Sequence, residues 1–324
     1  MHRTALPLLA IALIHLSCNP NKASEERPPS ADRQPLAPLT VPEFDGKQAF
    51  DELVTQTKFG PRNPGSVGHQ QCLAYLAAEL RNAADAVNLQ RFSHTGYGGE
   101  RYDLTNIISS FNLGATDRIM LAAHWDTRPT ADQEVDPKKK KQPILGANDG
   151  ASGVAVLLEV ARQLKLHPPP IGVDIILFDG EDFGEQDDLA NFSLGARYFA
   201  QNKPSGFNPR FAIVVDMVGD KQLEILKDPA SVKYAPDAVQ RVWSIAKDLG
   251  IPQFSALQRS EDVFDDHIPL NEAGIRAIDI IDFDYPDESN RYWHTLEDTS
   301  DKCSPESLRA VGRVLMHLIF ASPS

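Results

Sequence analysis

The chain has 324 residues, 42% of them hydrophobic and 24% charged, the balance of a folded soluble protein with a substantial core. Its formal net charge of -13 excludes a nucleic-acid partner, because neutralising phosphates takes clustered Lys and Arg. The one basic run, Lys138 to Lys141, is short and isolated and reads as an exposed loop.

Residues 1–18, "MHRTALPLLAIALIHLSC", join a basic start, an apolar stretch of about a dozen residues and a small residue before a cysteine, the pattern of a secretory signal. The stretch is too short for a bilayer, which takes roughly 20 apolar residues. Ser17 and Cys18 resemble a bacterial lipoprotein processing site, although His15 stands where Leu is usual; plain cleavage nearby is the alternative. Both imply export to the periplasm or to the membrane surface of a bacterium, with membrane contact only through a lipid anchor. If Cys18 carries lipid, Cys72 and Cys303 remain as an even pair in an oxidising compartment. They are expected either as a disulfide or as two buried thiols. Residues 19–40 are rich in Pro, Ser and charge, cannot bury enough surface to fold, and read as a tether.

From residue 41 to 324 the chain reads as one domain. Helical spacing marks residues 66–84, while 106–113 and 118–126 read as strands, the second reaching His124. Residues 150–166 form a helix opened by small side chains. The runs "GVDIILFDGED" (172–182) and "FAIVVDMVGD" (211–220) suit strands covered on both faces. A helix over 236–250, a strand over 275–283 and a closing helix over 304–321 follow. Strands alternating with helices imply an α/β domain with a mostly parallel sheet.

In such sheets the reactive residues collect beyond the carboxyl ends of the strands. His124 and Asp126 follow one strand, Asp149 lies in the turn "GANDGASG", Glu181 and Asp182 end the next strand, Asp216 ends "AIVVD", and His294 follows the last. Each has a plain structural explanation: a core histidine, a turn or helix-capping acid, a loop acid. Together they supply His, Asp and Glu at successive strand ends, the ligand chemistry that Zn2+ prefers. Glu181 and Asp182 are adjacent, and neighbouring strand residues face opposite ways, so the chain must leave strand geometry at Gly180 for both to face one site.

The order "HWD", "NDGASG", "FDGED", "VVD", "WHT" resembles the zinc exopeptidase superfamily of bacterial leucyl aminopeptidases and glutaminyl cyclases. That resemblance implies a three-layer α/β/α sandwich around a mixed sheet of roughly eight strands. It also implies two rival chemistries. In the aminopeptidase version two zinc ions would be held by His124, Asp149 as bridge, Asp182, Asp216 and His294, with Glu181 as general base for hydrolysis of the first peptide bond. In the cyclase version one zinc ion would be held by Asp149, Asp182 and His294, with Glu181 moving a proton as an N-terminal Gln of a peptide or protein closes to pyroglutamate and releases ammonia. Zinc would act there as a Lewis acid on the γ-carbonyl. All five aminopeptidase ligand positions are filled, so ligands alone do not choose. A non-catalytic binding module is a third class, against which stands the full ligand set.

The segment "EDVFDDHIPLNEAG" (261–274) favours the cyclase, being similar to a cyclase Asp-Asp-His-Ile-Pro stretch. By that resemblance Asp266 would hydrogen-bond Asp216 and join it in binding the amino group, and Trp293 would wall the pocket, with Trp125 close by. Alternatively Asp265 and Asp266 cap a helix opened by His267, itself expected as a structural hydrogen-bonding residue. Asp182 departs from the animal cyclases, which have Glu at that ligand position.

Overall fold

Gly172–Phe178 is a strand with every residue buried, as an almost continuous apolar run covered on both faces should be. It lies inside a six-stranded sheet. The computed structural model describes residues 40–321, so the expected signal over 1–18 and all of the tether except Thr40 lie outside the described residues. In chain order the elements are α1 (Gly46–Thr57), α2 (Val67–Ala83), β1 (Ala86–Thr95), β2 (Arg101–Phe111), β3 (Arg118–His124), α3 (Ala151–Leu166), β4 (Gly172–Phe178), α4 (Leu194–Gln201), β5 (Ala212–Asp216), β6 (Ile225–Lys227), α5 (Pro229–Tyr234), α6 (Pro236–Asp248), β7 (Phe254–Gln258), α7 (His267–Glu272), β8 (Ala277–Ile281) and α8 (Pro305–Phe320).

The strand order is β1-β2-β4-β3-β5-β8. β2 is antiparallel to both neighbours, and β4, β3, β5 and β8 run parallel, so the sheet is mixed and mostly parallel as expected. Among the described residues the main sheet has six strands, fewer than the roughly eight that the resemblance implied, and β6 and β7 pair only with each other, as a separate two-stranded sheet. Met217 adopts φ 50 directly after β5, in the left-handed region, and the chain leaves the main sheet there.

Alternating side chains build two cores. Ile119, Leu121 and Ala123 of β3 join Ile175 and Leu177 of β4 on the face covered by α1, α2, α3, α6 and α8. Met120 and Ala122, with Ile176 and Phe178, face α4 and α7. Helices thus cover both faces of the sheet, completing three layers. Truncating a fully buried core residue such as Leu121 to Ala costs about 2–5 kcal/mol. A side chain at Gly153 would collide with the Val215 carbonyl oxygen; its absence lets α3 press onto β5 and brings the turn before α3 over the strand ends.

Cys72 and Cys303 are both free and buried, so of the two expectations the thiols hold and the disulfide does not. Cys72 packs within α2, whereas Cys303 lies against Gly219; burial pushes the Cys72 thiol up to about 11, which makes it a poor nucleophile.

Candidate active site

Four parallel strands deliver their carboxyl ends to one edge of the sheet, where the loops after β3, β4, β5 and β8 meet. β3 ends at His124 and β5 at Asp216, while β4 stops at Phe178. Gly180 then takes φ 72, a value glycine reaches without a Cβ penalty, and Glu181 and Asp182 form a tight helical turn. Asp126 secures that turn, accepting the Glu181 N–H at 3.0 Å and the Asp182 N–H at 3.3 Å.

Asp149 stands at the centre. Its Oδ1 lies 3.2 Å from His124 Nε2 and its Oδ2 3.6 Å from His294 Nε2. His124 Nε2 is also 3.1 Å from Asp216 Oδ1, and His294 Nε2 is 3.4 Å from Asp182 Oδ1. Two ligand sets therefore share Asp149, namely His124–Asp149–Asp216 and Asp149–Asp182–His294, and within each set one donor atom per residue lies within 4.8 Å of the others. The sets differ in spacing. Around His124 the contacts are at hydrogen-bond length, whereas those around His294 exceed a good N–H···O bond, typically about 2.7–3.2 Å. Atoms bound about 2.0–2.2 Å from one zinc ion stand apart by an interval close to that of the His294 set. Asp182 Oδ2 is moreover buried without a hydrogen-bond partner. Two carboxylates and an imidazole, with an orphaned oxygen among them, fit a zinc ion.

The surrounding charges follow from burial. Burial pushes Asp182 up to about 6, against the pull of His294 and Arg128. Burial also pushes Asp216 up to about 7, opposed by His124 and assisted by Asp265 and Asp149. Asp149 is also raised by burial, but His124 and His294 overcome this and hold it below the ordinary carboxylate range. Glu181 is held well above that range by burial, with Asp182, Asp265 and Asp266 adding to the effect against His124. A carboxyl group whose protonated form is favoured in this way is suited to carry a proton between reacting groups.

Three residues steady the ligands without having been assigned a role from sequence. Arg128 donates to Asp182 Oδ1 at 2.7 Å and grips Asp132 with two further N–H groups at 3.0 and 2.7 Å. Asp132 Oδ1 in turn lies 3.3 Å from His294 Nδ1, the carboxylate behind a ligand histidine that metal sites commonly use. Asp298 accepts the N–H groups of Asn148 and Asp149. Their only signal in the sequence was an acid or Arg within a few positions of a ligand.

Two sequence expectations are corrected. Trp125 does not wall the pocket: it is fully buried, stacked on His69 at 4.4 Å, with its indole N–H donated to the Thr105 carbonyl. Nor does Asp266 hydrogen-bond Asp216; neither of its carboxylate oxygens has a hydrogen-bond partner, and the acids that most raise Asp216 are Asp265 and Asp149. α7 does open at His267, with Asp266 at its N-cap position, yet the Asp266 side chain does not cap it. Trp293 is stacked on His294 at 3.7 Å and lines, with Phe192, Phe264 and Phe283, a cavity of about 270 Å³ that reaches His294. A larger groove of about 770 Å³ runs between α6 and β7, away from every residue of this cluster.

Residues 106–319 match peptidase family M28. The chain belongs to that family. Among solved structures it is similar to a glutaminyl cyclase of Bacteroides thetaiotaomicron bound to N-acetylhistamine, with 38% identity and a TM-score of 0.83, covering 88% of this chain and 100% of that one. A leucine aminopeptidase precursor of Bacteroides thetaiotaomicron VPI-5482 matches with the same identity, TM-score and coverage. The glutaminyl-peptide cyclotransferase of Boiga irregularis is 27% identical over 290 residues, 79% of this chain and 75% of that protein. This M28 chain is thus an enzyme of a family whose members bear both of the names that the sequence brought together.

Proposed function

We propose that the chain is a zinc-dependent glutaminyl-peptide cyclotransferase, exported from a bacterial cell, that converts N-terminal Gln of peptides or proteins to pyroglutamate. The observation that carries this reading is the unequal spacing of the two ligand sets. The His124 set closes on itself: Asp216 Oδ1 meets both His124 Nε2 and the N–H of Met217, the latter at 2.8 Å. The Asp149–Asp182–His294 set stays open, with an orphaned oxygen. One ion is therefore expected, bound by Asp149, Asp182 and His294, where it supplies Lewis acidity to the γ-carbonyl oxygen of the substrate.

The residues do the rest. In cyclisation the α-amino nitrogen bonds to the side-chain carbonyl carbon, the bond from that carbon to the amide nitrogen breaks, and ammonia leaves. Glu181 takes a proton from the attacking amine and returns it to the departing nitrogen, so one group serves as base and then acid. Asp216, 8% exposed, lies at the edge of the site where it can receive the amino group. Trp293 and Phe192 flank the cavity and limit the access of water, which matters because hydrolysis is the competing outcome. The aminopeptidase reading remains the second one, since His124 and Asp216 complete a second ligand set.

One incubation decides. Purified protein is given a Gln-initiated and a Leu-initiated dipeptide, ammonia and free amino acid are measured separately, and zinc is counted in the same sample. Ammonia with one zinc per chain supports the cyclase; amino-acid release with two zinc ions per chain replaces it with the aminopeptidase.

A further inference from the structure

Lys138, Lys139, Lys140 and Lys141 are all exposed, on a chain of formal net charge -13 in which no other two Lys or Arg are adjacent. Like charges set side by side repel one another. Among the described residues only Lys139 has a carboxylate within 4.0 Å of its Nζ, that of Glu134 at 3.8 Å. The run forms the tip of the connection between β3 and α3. Two bonds pin the limbs of that connection together: the Ile144 N–H donates to the Arg128 carbonyl at 3.3 Å, and the Ala131 N–H to the Gln142 carbonyl at 2.7 Å. Residues 132–141 therefore project as a closed loop. Within the tip the Lys140 N–H donates to the Asp136 carbonyl at 3.0 Å and the Gln142 N–H to the Lys139 carbonyl at 2.9 Å.

The base of this loop belongs to the active site. Arg128 holds Asp182, and Asp132 stands behind His294. The Gln133 N–H donates to the His294 carbonyl at 3.3 Å, and Glu134, the partner of Lys139, accepts the Leu296 N–H at 3.2 Å. Arg128, Asp132 and Gln133 also line the cavity that reaches His294. From Gln133 to Lys138 the chain can span at most about 18 Å, a distance that an extended peptide rising about 3.3 Å per residue covers in about five residues. The remaining charged lining of the cavity is acidic, with Asp187, Glu261 and Asp262 there and Arg259 committed to Asp284. The lysines are thus a separate field of opposite sign. Salt screens exposed charges over about 8 Å at physiological ionic strength, so each field acts on the part of a bound peptide that lies next to it.

We propose that Lys138–Lys141 form a contact site for acidic residues of the substrate placed about four to eight positions after its N-terminal Gln. This deepens the cyclase reading and rests on it, naming as the substrate class peptides or proteins whose first Gln is followed at short range by a run of Asp or Glu. Opposite charges that meet in water contribute modestly per pair, and the attraction also speeds encounter. None of the four lysines lines the cavity. They add binding without chemistry, which lowers KM and leaves kcat alone. A dipeptide is too short to reach them. An anionic lipid surface would offer the same charge, but the loop is bonded at its base to His294 and its neighbours, which favours the peptide that enters there.

The test gives the full-length protein Gln-initiated octapeptides that carry either Glu or Ser at each of the last four positions. The parent should show a KM about 5- to 30-fold lower for the Glu peptide, the sum of several exposed pairs, with kcat equal for the two. Lys138→Ser, Lys140→Ser and Lys141→Ser combined, which leaves the Lys139–Glu134 pair in place, should remove most of that difference. Lys138→Arg, Lys139→Arg, Lys140→Arg and Lys141→Arg combined should keep it. Raising salt from about 0.02 to about 0.5 M should shrink the difference in the parent. Turnover of a Gln-initiated dipeptide should be the same in all three proteins. A parent KM within about twofold for the two octapeptides, the size of a single exposed pair, overturns the proposal, and so does a preference that the Ser variant retains. Loss of binding to phosphatidylglycerol vesicles in the Ser variant with its peptide kinetics unchanged also overturns it, because the run would then meet a lipid surface. If the parent releases amino acid instead of ammonia, the cyclase reading fails alone, and the same KM comparison is made on amino-acid release from octapeptides that begin with Leu.

Discussion

Asp298 accepts the backbone N–H of Asp149 at 3.1 Å, across 149 positions of sequence. Its other oxygen takes the Asn148 N–H at 2.8 Å and the Tyr285 hydroxyl at 2.9 Å. The turn that carries the shared ligand is therefore held by an acid four residues after His294. Groups that orient a ligand in this way typically alter metal affinity about 10- to 100-fold when removed. Asp298→Ala should weaken zinc binding by that factor, read by competition with a chromophoric chelator; unchanged affinity would detach Asp298 from the site.

Glu181 is adjacent to a ligand but turned to a different task. Replacing it by Gln keeps its size and removes the titrating oxygen. Turnover of a Gln-initiated peptide should fall about 100- to 10,000-fold, the usual contribution of a general acid–base group, while zinc content stays at the parent value. Substantial residual turnover would refute the assigned role.

The two histidines at the strand ends should behave unequally. His294→Ala removes a ligand from the open set and should abolish both zinc retention and activity. His124→Ala opens only the set already closed by hydrogen bonds, so the zinc count should stay at the parent's value. Loss of one ion of two in His124→Ala is the result that restores the di-zinc reading. Elemental analysis of both variants after the same dialysis makes the comparison.

The legible part of this molecule is the part whose chemistry lies at strand ends. Continuous apolar runs in β3, β4 and β5 announced buried strands, and the polar residues just after them had to lie at one edge of a parallel sheet. β1 was not legible: its residues alternate between intermediate and exposed burial, and "AVNLQRFSHT" has neither a continuous apolar run nor clean alternation. α1 depends on a local cap, with the Asp45 side chain accepting the N–H groups of Lys47 and Gln48, and is seated by packing. Trp125 misled because adjacency to His124 in sequence says nothing of which way a side chain turns once the strand has ended. Asp265 and Asp266 misled for a related reason: adjacency in sequence does not say which of two neighbouring acids acts on Asp216, and the charge effect there comes from Asp265.

Arg128 is 1% exposed and joins Asp182 to Asp132. Removing one member of a buried ion cluster leaves charge without a partner and typically costs about 3–5 kcal/mol. Arg128→Leu should lower unfolding free energy by that order in protein stripped of zinc by a chelator, where the ion cannot mask the loss. Urea unfolding of both proteins without metal reads the difference, and one below about 1 kcal/mol, the range of an exposed pair, would mean that water relieves the stranded acids.

Asp282, just beyond β8, provides a pH test away from the metal ligands. It is 1% exposed and accepts the N–H groups of Glu224 and Asp284 at 2.8 and 3.2 Å, yet burial pushes it up to about 8. In the unfolded chain an Asp titrates near about 3.9. The folded form thus binds the proton more tightly, so the stability this group contributes is fully present below about pH 4, where both states are protonated. It is lost progressively as pH rises toward 8, at a slope of up to about 1.4 kcal/mol per pH unit. Asn resembles the protonated acid in size and has no proton to lose. The stability of Asp282→Asn relative to the parent should therefore rise between pH 5 and pH 9, whatever its starting value. Urea midpoints at a series of pH values measure this, and a difference that stays flat across the range would show that Asp282 is ionised in the fold at neutral pH, held by its two N–H donors.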